Sequence, residues 1–86
     1  MLNFPNPSRV FDPTRRAVHF WGHDSAMEWS FFITEQALKH LQPTAPLDEA
    51  GLLSTFDNNR SAIYAAAMKA FKRGRKGSYE LAETDF

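Results

Sequence analysis

Between Arg9 and Ile33 the chain is a series of short apolar and aromatic runs broken by turn residues, and beyond Thr34 its apolar positions recur at helical spacing. Arg9-Val10-Phe11 is a short strand candidate. Asp12-Pro13-Thr14-Arg15 follows as a turn, since Asp bonds its own backbone at the first position and Pro presets φ at the second. The β-branched and aromatic run Arg16 to Gly22 predicts a second strand, Gly22 to Ala26 a turn, and Met27 to Ile33 a third strand. A short loop centred on Asp24-Ser25 places Val18 opposite Phe31 and Phe20 opposite Trp29. Val18, Phe20, Trp29, Phe31 and Ile33 then share one face, and His19, Trp21, Glu28, Ser30 and Phe32 share the other.

Thr34 is an N-cap residue type, with Glu35 in the first turn of a short helix to about Leu41. Gln42 to Leu47 holds two prolines and predicts a loop. Asp48 then caps a long helix whose stripe runs through Leu52, Phe56, Ile63, Ala67 and Phe71. Asp57-Asn58-Asn59 are weak helix formers at which this helix kinks or splits. Lys72-Arg73-Gly74 ends it, with cations in the last turn and glycine for a left-handed cap, and Ser78 to Ala82 alternates as a closing strand. The predicted fold is a single α+β domain over residues 1–86. Three N-terminal strands and a C-terminal strand form an antiparallel sheet, packed on one face by a short and a long helix in the order β-β-β-α-α-β.

Composition agrees with one globular domain. The 86 residues are 43% hydrophobic and 23% charged, and 14% are aromatic, including eight Phe, which gives a small domain large side chains for its core. Ten basic residues balance ten acidic ones, so no overall charge draws the chain to nucleic acid or an anionic membrane. Without cysteine there is no disulfide and no thiolate metal site. No apolar run approaches the ~20 residues of a membrane span, and the N-terminal residues lack the pattern of a signal peptide, so a cytoplasmic protein is expected.

No motif for chemistry stands out. His19 and His23 have the spacing of a helical zinc pair, but four strand residues span about 13 Å, too far for one ion. His23-Asp24-Ser25 contains the residue types of a hydrolase triad, yet consecutive turn residues diverge and no nucleophile elbow is present. Lys69, Lys72, Arg73, Arg75 and Lys76 form the main charge cluster. It is either a cationic helix end extended into a solvated turn or a phosphate or nucleic-acid contact. Arg60 lies beside the apolar stripe and needs an acceptor. Asp12, Asp85 or the terminal carboxylate would make a structural ion pair with it, tethering the C-terminal segment.

The second sheet face is the most informative feature. Two helices cover one face of a sheet, which leaves Trp21 and Phe32 on the other with His19, Glu28 and Ser30. Either the N-terminal segment folds over them through Leu2 and Phe4, or they form an exposed patch for a partner or a second copy.

Four segments resemble a bacterial family of unknown function, family 1488: Phe11-Asp12 with Arg16-Ala17-Val18-His19-Phe20; Phe32-Ile33-Thr34-Glu35-Gln36-Ala37-Leu38; Phe56 with Arg60 and Ile63; and Asp85-Phe86. The resemblance implies a small bacterial cytosolic protein with helices on an antiparallel sheet, and it implies no activity. The functional expectation is therefore a non-enzymatic binding or protein-interaction module without cofactor or metal. His19, Trp21, Glu28 and Phe32 are its candidate contact residues. The alternative is a nucleic-acid-associated accessory protein using the basic cluster.

Overall fold

A computed structural model describes all 86 residues. Strands β1 (Arg9–Asp12), β2 (Ala17–Asp24) and β3 (Met27–Thr34) are followed by helices α1 (Glu35–Leu41), α2 (Glu49–Asn58) and α3 (Arg60–Arg73). Strand β4 (Ser78–Leu81) and a single 3-10 turn at Glu83–Asp85 complete the chain. The sheet order is β1-β2-β3-β4.

The α+β architecture and the order of elements agree with the sequence, with two refinements. The long helix divides at Asn59, whose φ of −126° and ψ of 22° leave the helical region. Its side-chain amide donates to the Thr55 carbonyl at 2.8 Å, so the break is capped. The closing strand pairs parallel to β3, not antiparallel. Three helices return the chain to the hairpin end of β3, where Arg75 reaches Asp24 at 3.4 Å. From that end β4 runs in the direction of β3.

The hairpin register differs from the expected one by two residues. Val18 pairs with Ile33 and Phe20 with Phe31, because the loop is Ser25-Ala26 and Asp24 pairs with Met27. Ser25 takes a φ of 57°, the left-handed geometry that a two-residue hairpin loop demands. A shift of two preserves side-chain parity, so the face assignments stand.

The covered face supplies Val18, Phe20, Phe31 and Ile33, all at most 1% exposed. Leu38, Leu52, Phe56, Ile63, Ala67 and Phe71 meet them from the helices, and Tyr79 and Leu81 from β4. Thr34 and Asp48 cap α1 and α2 through side-chain bonds to Ala37 N (3.1 Å) and Gly51 N (2.8 Å). Gly74 ends α3 in extended backbone and not as a left-handed cap. The Tyr79 hydroxyl donates to its carbonyl at 2.9 Å instead.

The N-terminal segment lies on the helix side. Asn3 and His23 exchange backbone hydrogen bonds of 2.9 and 2.8 Å. This bridge directs Leu2 and Phe4 into the core, where Phe4 stacks on Tyr64 at 4.2 Å. Gly22 makes room for them: a Cβ there would stand 2.9 Å from Leu2 Cδ1 and 3.0 Å from both Phe31 and Phe4 ring carbons. The expected option in which Leu2 and Phe4 cover Trp21 and Phe32 is thus overturned. Those two residues lie on the other side of the sheet. No helix is long and apolar enough to cross a membrane.

Candidate functional site

The helix-free face of the sheet is built from β2 and β3, with β1 and β4 as its edges. Strand pairing aligns Val10, His19, Phe32 and Glu80 in one row across all four strands, and Trp21, Ser30 and Ser78 in the next. His19 is the middle of a stack. Its ring centroid is 4.2 Å from that of Trp21 and 4.2 Å from that of Phe32. The Arg15 guanidinium closes the far end, 4.0 Å above the Phe32 ring.

Local sequence explains this arrangement. Period-two alternation puts His19 and Trp21 on one side of β2, and antiparallel pairing brings Phe32 beside His19. Asp12 accepts backbone bonds from Thr14 and Arg15 at 3.0 and 3.1 Å, folding the β1–β2 turn so that Arg15 bends back over the sheet. His19 Nε2 hydrogen-bonds with Ser30 Oγ at 3.0 Å. Burial among the rings lowers the His19 pKa below its ordinary value, outweighing the pull of Asp12 and Glu28 toward the charged form.

The stack buries Phe32 to 7% exposure. Trp21 remains half-buried, and Val10 is 54% exposed one strand away. Glu28 is exposed near the hairpin end, its Oε2 3.2 Å from His23 Nε2 but outside hydrogen-bond geometry. The four candidate contact residues His19, Trp21, Glu28 and Phe32 therefore share one face. Phe32 serves mainly as a buried support, and Trp21 is the accessible ring.

The basic cluster is divided. Arg73 pairs with Asp85 at 3.0 Å, and Arg75 bonds weakly to Asp24 at 3.4 Å while lying 4.0 Å over Phe71. Lys69, Lys72 and Lys76 are exposed and form no ion pair. No three His, Asp or Glu side chains converge to hold a metal ion.

Arg60 pairs with neither Asp12 nor Asp85. It donates to Asp57 at 2.7 Å, to the Pro7 carbonyl at 2.9 Å and to the Tyr64 hydroxyl at 2.6 Å. Asp57 also receives two bonds from Arg9, at 3.0 and 2.9 Å, and these lead the causes that hold its carboxyl below the ordinary value. The network ties β1 and the N-terminal segment to the α2–α3 junction. Asp12 is occupied by its own turn, and Asp85 caps Ala82 N at 2.7 Å besides holding Arg73. The Asp57–Arg60 spacing of three residues was the available sequence signal for the true pair.

The geometry defines a two-layer α+β domain with one helix-covered and one open sheet face. The profile of the family described as protein of unknown function (DUF1488) matches residues 2–82, and the chain belongs to that family. A crystal structure of a protein of unknown function from the DUF1488 family, from Shewanella loihica PV-4, superposes with a TM-score of 0.82. The two share 22% identity over 93% of this chain and 90% of that one, a likeness of fold. A search of curated proteins finds no match.

Proposed function

We propose that the protein is a non-enzymatic interaction module that binds a protein partner across the helix-free face of its sheet, with Trp21 as the central contact. One observation carries this reading. Trp21 stays half-buried on an open face whose neighbouring aromatic, Phe32, has both ring faces taken by His19 and Arg15. A tryptophan held rigid by stacking and accessible on its outer side is the residue type that anchors interfaces. Exposed Val10 extends the apolar surface to the β1 edge, while Glu28 and Arg15 give it polar margins.

The nucleic-acid reading has less support. Rings stacked on one another leave few faces for bases, and Arg73, one of the five clustered cations, is paired with the Asp85 carboxylate.

The test is capture from lysate of the producing bacterium by tagged wild type, Trp21→Ala, and an exposed helix control, Ser61→Ala. A partner retained by wild type and the control but lost from Trp21→Ala, which keeps its native circular dichroism spectrum at the assay temperature, is the expected result. Equal capture by all three contradicts the assignment.

A further inference from the structure

The helix-covered side holds a second feature, separate from the open face. Where the N-terminal segment meets the end of α3, Met1, Leu2, Met68 and Phe71 give a pocket of about 330 Å³ its apolar lining, and Lys72 and Arg75 line it as well, the Arg75 guanidinium lying 4.0 Å over the Phe71 ring. The volume is at the low end of the roughly 300–1,000 Å³ typical of small-molecule sites, which limits the ligand to a compact one.

The rim is cationic. Asp24 is its one lining acid, and its charge is already committed. The N-terminal ammonium bonds to it at 2.9 Å and is the leading cause holding its carboxyl below the ordinary value. Arg75 adds only a long 3.4 Å contact and remains 62% exposed. A stronger acceptor would take the Arg75 guanidinium with little loss, since a charge-assisted bond shortens to about 2.7–2.9 Å when well formed. Lys72 has no acidic partner. The carbonyl end of α3 opposes an anion here. The Gly74 carbonyl, however, already accepts from Tyr79, and the two side-chain cations outweigh the residual dipole.

We infer that this pocket binds a compact amphipathic anion, its apolar chain along Leu2 and Met68 and its acid group between Lys72 and Arg75. The shared chemistry is an acyl chain ending in an anion, whether a free acid or an anionic lipid in a membrane.

Titration of the whole protein with sodium decanoate, followed by amide NMR and calorimetry, tests it. The expected result is saturable 1:1 binding with shifts centred on Met68 to Arg75. Binding weakens at least tenfold for the Lys72→Gln/Arg75→Gln protein, which keeps the native circular dichroism spectrum, and for decanol in place of decanoate. Sedimentation with phosphatidylglycerol vesicles assigns the source. Sedimentation of wild type but not of the double variant shows that the site takes the anionic headgroup of a membrane lipid, and decanoate binding without sedimentation restricts it to a free acid in solution. Absence of saturable shifts at millimolar decanoate, or equal binding by the double variant or of decanol, overturns the inference.

Discussion

Replacing Gly22 with alanine probes the placement of the N-terminal segment on the helix side of the sheet. In a strand interior this change ordinarily gains about 0.5–1 kcal/mol, because glycine loses more backbone freedom on folding. Here the new Cβ meets Leu2 Cδ1 at 2.9 Å and ring carbons of Phe4 and Phe31 at 3.0 Å. Phe31 is fully buried between Phe20 and Tyr79 and has no room to retreat. The strain therefore falls on Leu2 and Phe4, whose segment is held to the sheet by the Asn3–His23 bridge. Overpacking of this kind costs about 1–3 kcal/mol, and with both Leu2 and Phe4 displaced the cost lies in the upper part of that range, about 2–3 kcal/mol, so the net effect is a loss of about 1–2 kcal/mol. At about 4–8 °C per kcal/mol for a domain of this size, the melting temperature falls by roughly 4–16 °C. Thermal unfolding followed by circular dichroism measures it. A double-mutant cycle with Phe4→Ala gives a coupling of at least about 0.5 kcal/mol, because removing the ring makes space for the Cβ. A Gly22→Ala protein that melts at or above wild type would refute the packing described.

Three further predictions concern the ion network and the aromatic stack. Asp57→Asn costs about 1 kcal/mol at neutral pH, as befits a partly exposed network. Because the folded pKa of Asp57 lies below its ordinary 3.8, that contribution is present above 3.8 and is lost as pH falls through the folded value. Melting curves of the two proteins should therefore converge on acidification. His19 has a folded pKa below its ordinary 6.5, so its protonation opposes folding, and stability declines as pH drops through and below 6.5. His19→Gln should flatten that slope. Phe32→Ala costs about 3 kcal/mol, the low end for a buried phenylalanine because one ring face meets only Arg15, and it raises the His19 pKa toward its ordinary value in an NMR titration.

Much of the fold was legible because parity is robust. Alternation in β2 and β3 assigns each aromatic to a face whichever even register is adopted, so the loop displacement from Asp24-Ser25 to Ser25-Ala26 altered pairings without moving a side chain across the sheet. The direction of β4 was not legible. It depends on where three helices deliver the chain, and the break at Asn59 that makes three of two is a local choice between weak helix formers. The candidate face was legible as a set of residues. Its internal stack was not, since the position of Arg15 over Phe32 depends on the fold of a turn. The partner of Arg60 was not legible from spacing alone, because Asp57 and Arg60 lie on either side of the Asn59 break and their pairing depends on its geometry. The course of Leu2 and Phe4 was readable only through Gly22, whose missing side chain is a space that a sequence pattern does not display.

Photo-crosslinking from position 21 tests the open face most directly. A benzophenone amino acid replaces Trp21 in one protein and exposed Ala62 of α3 in another, and both are irradiated in the producing cells. A discrete protein adduct formed from position 21 and absent from position 62 is the predicted result. No adduct from position 21, or the same adducts from both positions, would contradict an interaction role for the helix-free face.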